Sequence, residues 1–391
     1  MKMSDPKRVA VSDLKATLNS QVTNVYWQPL PTLLSPMGER AQSLKGFDEE
    51  FVDIVDYIIR ITHRIWEQKN LGLCRDYYAN YCPVHTLGGY CDSVEVVVQN
   101  TLKTIAAFPD RSLIGENVVW SIDEDEQYYS SHRITSVMTN KGDSEFGPAT
   151  GNTGRVTTIA DCVCQDNKIV YEWLMRDNGF LVKQLGISIE EAAKYQAQFP
   201  VPAAFSDWIT SEYARVKQQQ SMLSSTKCAV AAPYIEFAQS WIETLFNKKN
   251  FGQLEYFYAS NAAAQWPGGR NTVGLVGIRG IVTQWLCECP DAIATLDHIA
   301  VTYFDDDHID MAIRWSLAGT YNGRTTAARS FNGQPYFMLS ASHFRINIRD
   351  KLRITEEWTV FDEVAALTNL YRQLPTPTIA KEGPKMSVKN V

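Results

Sequence analysis

Two stretches of this chain lie over one another at an offset of 180 residues: Trp66-Glu-Gln-Lys-Asn70-Leu-Gly72-Leu-Cys-Arg-Asp-Tyr77-Tyr78-Ala79 and Phe246-Asn-Lys-Lys-Asn250-Phe-Gly252-Gln-Leu-Glu-Tyr-Phe257-Tyr258-Ala259. Further landmarks follow in the same order. Gly88-Gly89 matches Gly268-Gly269 at 180, Phe108-Pro109-Asp110 matches Cys289-Pro290-Asp291 at 181, and Arg133 matches Arg314 at 181. Glu172-Trp173-Leu-Met-Arg-Asp177 matches Glu357-Trp358-Thr-Val-Phe-Asp362 at 185. An offset that drifts this slowly means two homologous domains separated by small loop insertions.

Each copy reads alike. A helix opens it, with Phe51, Ile54, Val55, Ile58, Ile61 and Ile65 at helical spacing in the first copy and Phe237, Trp241 and Leu245 in the second. A short helix ends at the Pro-Asp turn, because proline lacks a backbone donor and disfavours helix in the residue before it. Strands follow over 112–122, 128–139, 156–163 and 169–175, with a matching set from 292 to 360. In one of them Ile309, Met311, Ile313, Trp315 and Leu317 alternate with Asp310, Ala312, Arg314 and Ser316, so one face is apolar and the other mixed. Helices first and an antiparallel sheet after them make an α+β pattern. Between the copies, Ser188 and Glu191 have capping-box spacing, Pro200 and Pro202 stop that helix, and a second helix is expected from Ser206 to about Leu223. The chain thus divides into an arm (1–46), a first domain (47–187), a helical linker (188–231), a second domain (232–374) and a loosely ordered tail (375–391).

Composition narrows the function classes. Of 391 residues, 45% are hydrophobic and 21% charged, the balance of a folded globular protein. A net charge of -7 without a Lys/Arg-rich run argues against nucleic acid. The N-terminal stretch has no signal-peptide core and no segment approaches a membrane span, so a cytoplasmic protein without membrane contact is expected. The pairs Cys162/Cys164 and Cys287/Cys289 lack further ligands nearby, so buried thiols are expected and no metal. The run Asp305-Asp306-Asp307-His308 reads as a solvated hairpin turn. The nucleophile-elbow, phosphate-loop, dinucleotide and His-Glu-x-x-His motifs do not occur.

The closing Glu-Trp-x-x-x-Asp strand and Leu-rich helix of each copy resemble those of the SnoaL-like polyketide cyclases, within the nuclear-transport-factor-2-like superfamily. Tyr78 to His85, Gly88-Gly89, Phe108-Pro109-Asp110, Gly154-Arg155 and Gln184-Leu185-Gly186 carry the resemblance further. It implies two tandem cone-shaped domains, each a curved, mostly antiparallel sheet wrapped by about three helices around an apolar cavity. It also implies sheet-to-sheet dimers, hence an intramolecular pseudo-dimer with further homodimerisation open. A cofactor-independent reaction is implied, in which a cavity carboxylate is the acid/base for aldol ring closure of a small apolar, polyketide-like ligand.

By motif position that carboxylate is Asp177 in the first copy and Asp362 in the second. Beside the resemblance stands a physical case: Tyr171, Trp173, Met175 and Asp177 share one strand face, as do Glu356, Trp358, Val360 and Asp362. Burial there would raise the carboxyl pKa toward neutrality. The alternative reading is that each aspartate caps the helix that follows. A second cavity position of the family falls on Asp161 in the first copy and on His343 in the second, as candidate acid/base partners; a salt-bridged strand residue and a satisfied core histidine are their bland readings. Arg133 and Arg314 are candidates to anchor an anionic or enolate oxygen, or else to form structural salt bridges. His85, Tyr81, Trp173, Trp266 and Trp358 complete the candidate ligand-binding set. Three functions remain: a proton-transfer enzyme catalysing aldol cyclisation, isomerisation or dehydration; a non-catalytic binding or assembly protein; and an epoxide or ester hydrolase.

Overall fold

The computed structural model describes residues 23–35, 38–123, 127–224, 230–323 and 328–373. The tail over 375–391 and the first part of the arm lie outside the described residues. The first copy runs α1 (Ile54–Thr62), β1 (Tyr81–Thr86), β2 (Gly89–Ser93), α2 (Val94–Ala107), β3 (Ser112–Ile122), β4 (Tyr128–Thr139), β5 (Thr153–Gln165), β6 (Lys168–Arg176) and α3 (Asn178–Gln184). Two helices follow, α4 (Ile189–Ala197) and α5 (Ala203–Lys217). The second copy runs α6 (Ala232–Ile242), β7 (Tyr258–Trp266), β8 (Arg270–Val273), α7 (Leu275–Leu286), β9 (Ile293–Tyr303), β10 (His308–Thr320), β11 (Pro335–Asn347), β12 (Arg353–Phe361) and α8 (Glu363–Gln373).

The sheets have the same strand order, β2-β1-β6-β5-β4-β3 and β8-β7-β12-β11-β10-β9. Among the described residues β1/β6 and β7/β12 pair in parallel and the other strand pairs are antiparallel, so each is a six-stranded mixed sheet and the fold is α+β, built twice. Local chemistry explains the element ends. Asp53 caps α1 by accepting from the Asp56 N–H, and Ser93 caps α2 by accepting from the Val96 N–H. Ser188 and Glu191 complete the expected capping box of α4. The helix expected from Ser206 to about Leu223 is instead α5, which starts directly after Pro202 and stops at Lys217. Gln219 adopts a φ of 55°, which a continuing helix cannot accommodate.

Cross-strand register sorts the residues onto two faces. On the helix-covered face of the first sheet lie the rows Trp120, Ser130, Cys162, Glu172 and Val118, His132, Ala160, Leu174. In the second sheet the same rows hold Met311, Phe344, Glu357 and Ile313, Ser342, Thr359. The opposite faces meet each other. There Val119 and Tyr129 of one sheet pack with Ala300 and Ala312 of the other. Asn117 donates to Asp310 at 2.9 Å and a His298 ring nitrogen lies 3.0 Å from Asp123, so buried polar groups also join the two halves.

Candidate functional site

The recurring Glu-Trp-x-x-x-Asp motif distributes its three named side chains to three different places, because strand side chains alternate between faces. The glutamates enter their own cones. The Tyr78 hydroxyl donates to Glu172 at 3.1 Å, and burial pushes that carboxyl from the usual 4.5 up to about 7 against the lowering effect of the tyrosine bond. Glu357 is likewise pushed up to about 7 by burial, although it accepts from Tyr258 at 2.9 Å, Trp266 at 3.0 Å and Thr359 at 2.7 Å. Tyr78 and Tyr258 occupy the same place in the two copies, so a buried tyrosine–glutamate pair occurs twice.

What surrounds each pair differs. The second cone is filled by Trp241, Phe246, Trp285, Trp315 and Phe361, with ring centroids 4.6–6.2 Å apart. At the repeat offsets the first copy places Ile61, Trp66, Thr104, Ile134 and Arg176 there, so four of the five positions lose an aromatic ring. The covering helix shows the consequence. On α7, Ile278, Val282, Trp285 and Leu286 are buried, whereas their counterparts Val97, Thr101, Thr104 and Ile105 on α2 stay half-exposed. Leu174 and Arg176, on the sheet face beneath, are half-exposed as well. The layer between α2 and the first sheet, above Glu172, is thus less tightly filled than its counterpart above Glu357.

At two inward positions, His132 and Arg176, the first cone is polar where the second carries Ile313 and Phe361. His132, where the second copy has Ile313, is held neutral because burial drives its pKa down to about 3. Gly115 makes room for the ring: a Cβ there would come 3.0 Å from His132 Nε2, which has no hydrogen-bond partner among the described residues. The buried Thr158 hydroxyl on the same face is without a partner among the described residues, as is that of Ser340 at the matching place in the second sheet. Arg111 is pushed down to about 10, first by burial and then by the positive charge of Arg176. No carboxylate pairs with Arg176 among the described residues.

The side chains singled out from the sequence lie elsewhere, mostly at the seam between the sheets. Asp177 caps α3, accepting from the Phe180 N–H at 3.0 Å, and accepts across the seam from the Gly268 N–H at 2.8 Å. Gly268 has a φ of 77°, so a side chain there would be strained. Asp362 accepts from the Ala365 N–H at 3.0 Å and from the Asn178 side chain of the other half at 2.6 Å. Burial pushes both aspartates up to about 7, yet neither shares the helix-covered face with Glu172 or Glu357. Trp173 and Trp358 sit under the guanidinium of the other half's arginine: Arg314 lies 3.5 Å from the Trp173 ring centre and Arg133 lies 3.6 Å from that of Trp358.

Arg133 also bonds Glu116 at 2.8 Å, and Arg314 lies 3.6 Å from Asp161. Asp161 accepts from the Tyr129 hydroxyl, and His343, its counterpart, meets Ser131 of the other half at 2.8 Å. Desolvation lowers the His343 pKa well below the usual 6.5. His85 packs outside the cone against Tyr171 and Trp208, with the Trp208 ring 4.6 Å away. Tyr81 is 67% exposed, and Trp266 alone of the set lies inside a cone, bonded to Glu357. The Asp305–His308 run forms the β9–β10 turn, where Asp305 accepts from the Asp307 N–H at 2.8 Å. Among the described residues no cluster of three or more His, Cys, Asp or Glu is placed to hold a metal ion, and no helix is long and apolar enough to cross a membrane.

Fold and site together define a tandem α+β protein with one loosely and one tightly filled cone, each holding a buried tyrosine-bonded glutamate. No family model and no curated protein matches the chain. Similar solved structures include IdmH, a candidate polyketide cyclase from Streptomyces antibioticus, at 21% identity and a TM-score of 0.29, covering 32% of this chain and 94% of that one. A SnoaL-like polyketide cyclase from Agrobacterium tumefaciens matches at 18% identity and a TM-score of 0.26, over 34% of this chain and 94% of its own. TsrD from Streptomyces laurentii matches at 16% identity and a TM-score of 0.29, over 33% and 92%.

Proposed function

We propose that the first cone is the ligand pocket of a cofactor-independent enzyme, and that Glu172 rather than Asp177 is its acid/base. The supporting observation is the contrast between equivalent sites: the same buried glutamate lies beneath half-exposed walls in one copy and under packed aromatic rings in the other. A carboxyl poised at about 7 is both proton acceptor and proton donor at neutral pH. It would take a proton from the carbon beside a carbonyl and return it to another carbon or to oxygen. That chemistry serves aldol cyclisation, isomerisation or dehydration of a small, largely apolar carbonyl compound. Tyr78 holds the carboxylate in place, while Arg111 and Arg176 supply positive charge for an enolate oxygen. The second cone, on this reading, is a scaffold.

The test is deuterium exchange into the α-carbon of a panel of alkyl and aryl ketones, followed by proton NMR. Glu172→Gln is expected to lower catalysed exchange by about 100-fold or more while the fold is kept. The rate for the parent protein should rise with pH through an inflection near 7. Exchange that survives in Glu172→Gln, or is lost instead in Asp177→Asn with Glu172 intact, would return the assignment to the seam aspartate.

A further inference from the structure

A second recess has neither glutamate in its lining. Helix α5, the segment 197–201 and α8 enclose a groove of about 950 Å³ against the start of β11. Its walls are Phe205, Ile209, Tyr213, Phe337 and Tyr371, and Phe199 at its edge is 52% exposed. Two cations are set into this surface, Arg372 and Lys194. Arg372, in the last turn of α8, lines the groove with its guanidinium 5.9 Å from the Phe205 ring centre.

Its Nη1 donates to Asn369 at 3.1 Å, whereas its buried Nε has no partner among the described residues. Burial lowers its pKa, the direction expected of a cation without a compensating anion. The other cation of the groove, Lys194, is already paired with Glu190 at 2.7 Å. No carboxylate among the described residues offsets the desolvation of this guanidinium, so a counter-charge brought to its Nη atoms would be favourable.

We infer that this groove binds a monoanionic amphiphile, a carboxylate carried on an apolar chain, with the carboxylate on Arg372 and the chain along Phe205, Ile209 and Phe337. Among the described residues Arg372 has no carboxylate partner, so one positive charge there matches one negative charge, and the planar fork of arginine suits a carboxylate. Phe199, Val201, Phe205, Ile209 and Phe337 offer apolar area for the chain, beside the polar side chains of Gln198, Ser206 and Thr210.

The site is separate from the proposed chemistry of the first cone. It is tested by isothermal titration calorimetry of the full chain with octanoate, using octan-1-ol as the neutral control. Octanoate is expected to bind at one site at least about tenfold more tightly than octan-1-ol, the increment of a charge-assisted hydrogen bond. Arg372→Met should bring octanoate to the level of the alcohol, and Ile209→Trp should weaken both by filling the groove. Glu172→Gln should leave octanoate binding unchanged. Equal affinities for acid and alcohol, or undiminished octanoate binding in Arg372→Met, would overturn the proposal. So would binding that emerges only after removal of residues 374–391, which would make that segment the occupant.

Discussion

A buried carboxyl that is pushed up to about 7 makes stability depend on pH in a definite direction. Glu357 keeps its proton in the folded state up to about 7, whereas an unfolded chain releases it near 4.5. The folded state binds more protons across that interval, so this group's contribution to stability falls as pH rises from 4.5 to about 7 and is level above. Glu357→Gln removes the titration, and its melting temperature relative to the parent should climb through that window, by an equivalent of up to about 3 kcal/mol. Parallel melting curves across the window would refute the shift. Asp177 contributes differently, through the α3 cap and the bond to Gly268. Asp177→Ala should cost about 2 kcal/mol in urea unfolding and Asp177→Asn less, since asparagine still caps. From the sequence, a cap and a cavity acid read alike at the end of an apolar strand row. The glutamate in the same motif, five residues before the aspartate, falls on the opposite face of the strand, so the sequence row that contains the aspartate does not contain it.

At the scale of the element, α2 and α7 show one backbone carrying two kinds of interior. Trp285 on α7 fills space that Thr104 on α2 leaves open. Thr104→Trp should close the first hollow, abolishing ligand binding and turnover while holding or raising the melting temperature. Trp285→Thr should open a cavity in the second cone and cost about 3–5 kcal/mol, measured by urea unfolding. A Thr104→Trp protein with full activity would place the ligand elsewhere. The strands, the opening helices and the α4 capping box were legible because alternation, 3.6-residue spacing and capping are local properties. The contrast between the cones was also written in the sequence. Laying Trp241, Trp266, Trp285 and Trp315 over Ile61, Thr86, Thr104 and Ile134 displays it, once the inward faces are known.

At the scale of the whole molecule, the two halves are fastened by reciprocal contacts. Each Glu-Trp-x-x-x-Asp motif sends its tryptophan beneath the other half's arginine and its aspartate onto the other half's backbone or Asn178. With Asp161, Arg314, Tyr129 and His343 buried between the sheets, the halves should unfold together. Calorimetry is expected to show one transition. Arg314→Met leaves Asp161 without its cation and should lower stability by about 3–5 kcal/mol without splitting that transition; two separate transitions would show that the seam does not couple the halves. By itself the sequence determined the duplication, the α+β class and the strand and helix pattern, because repeats and periodicities are carried by neighbours along the chain. Only the tertiary structure decided which face of each sheet looks into a cone and which meets the other sheet. Two-residue alternation defines two faces without saying what covers either, and the covering groups here come from residues about 180 positions away.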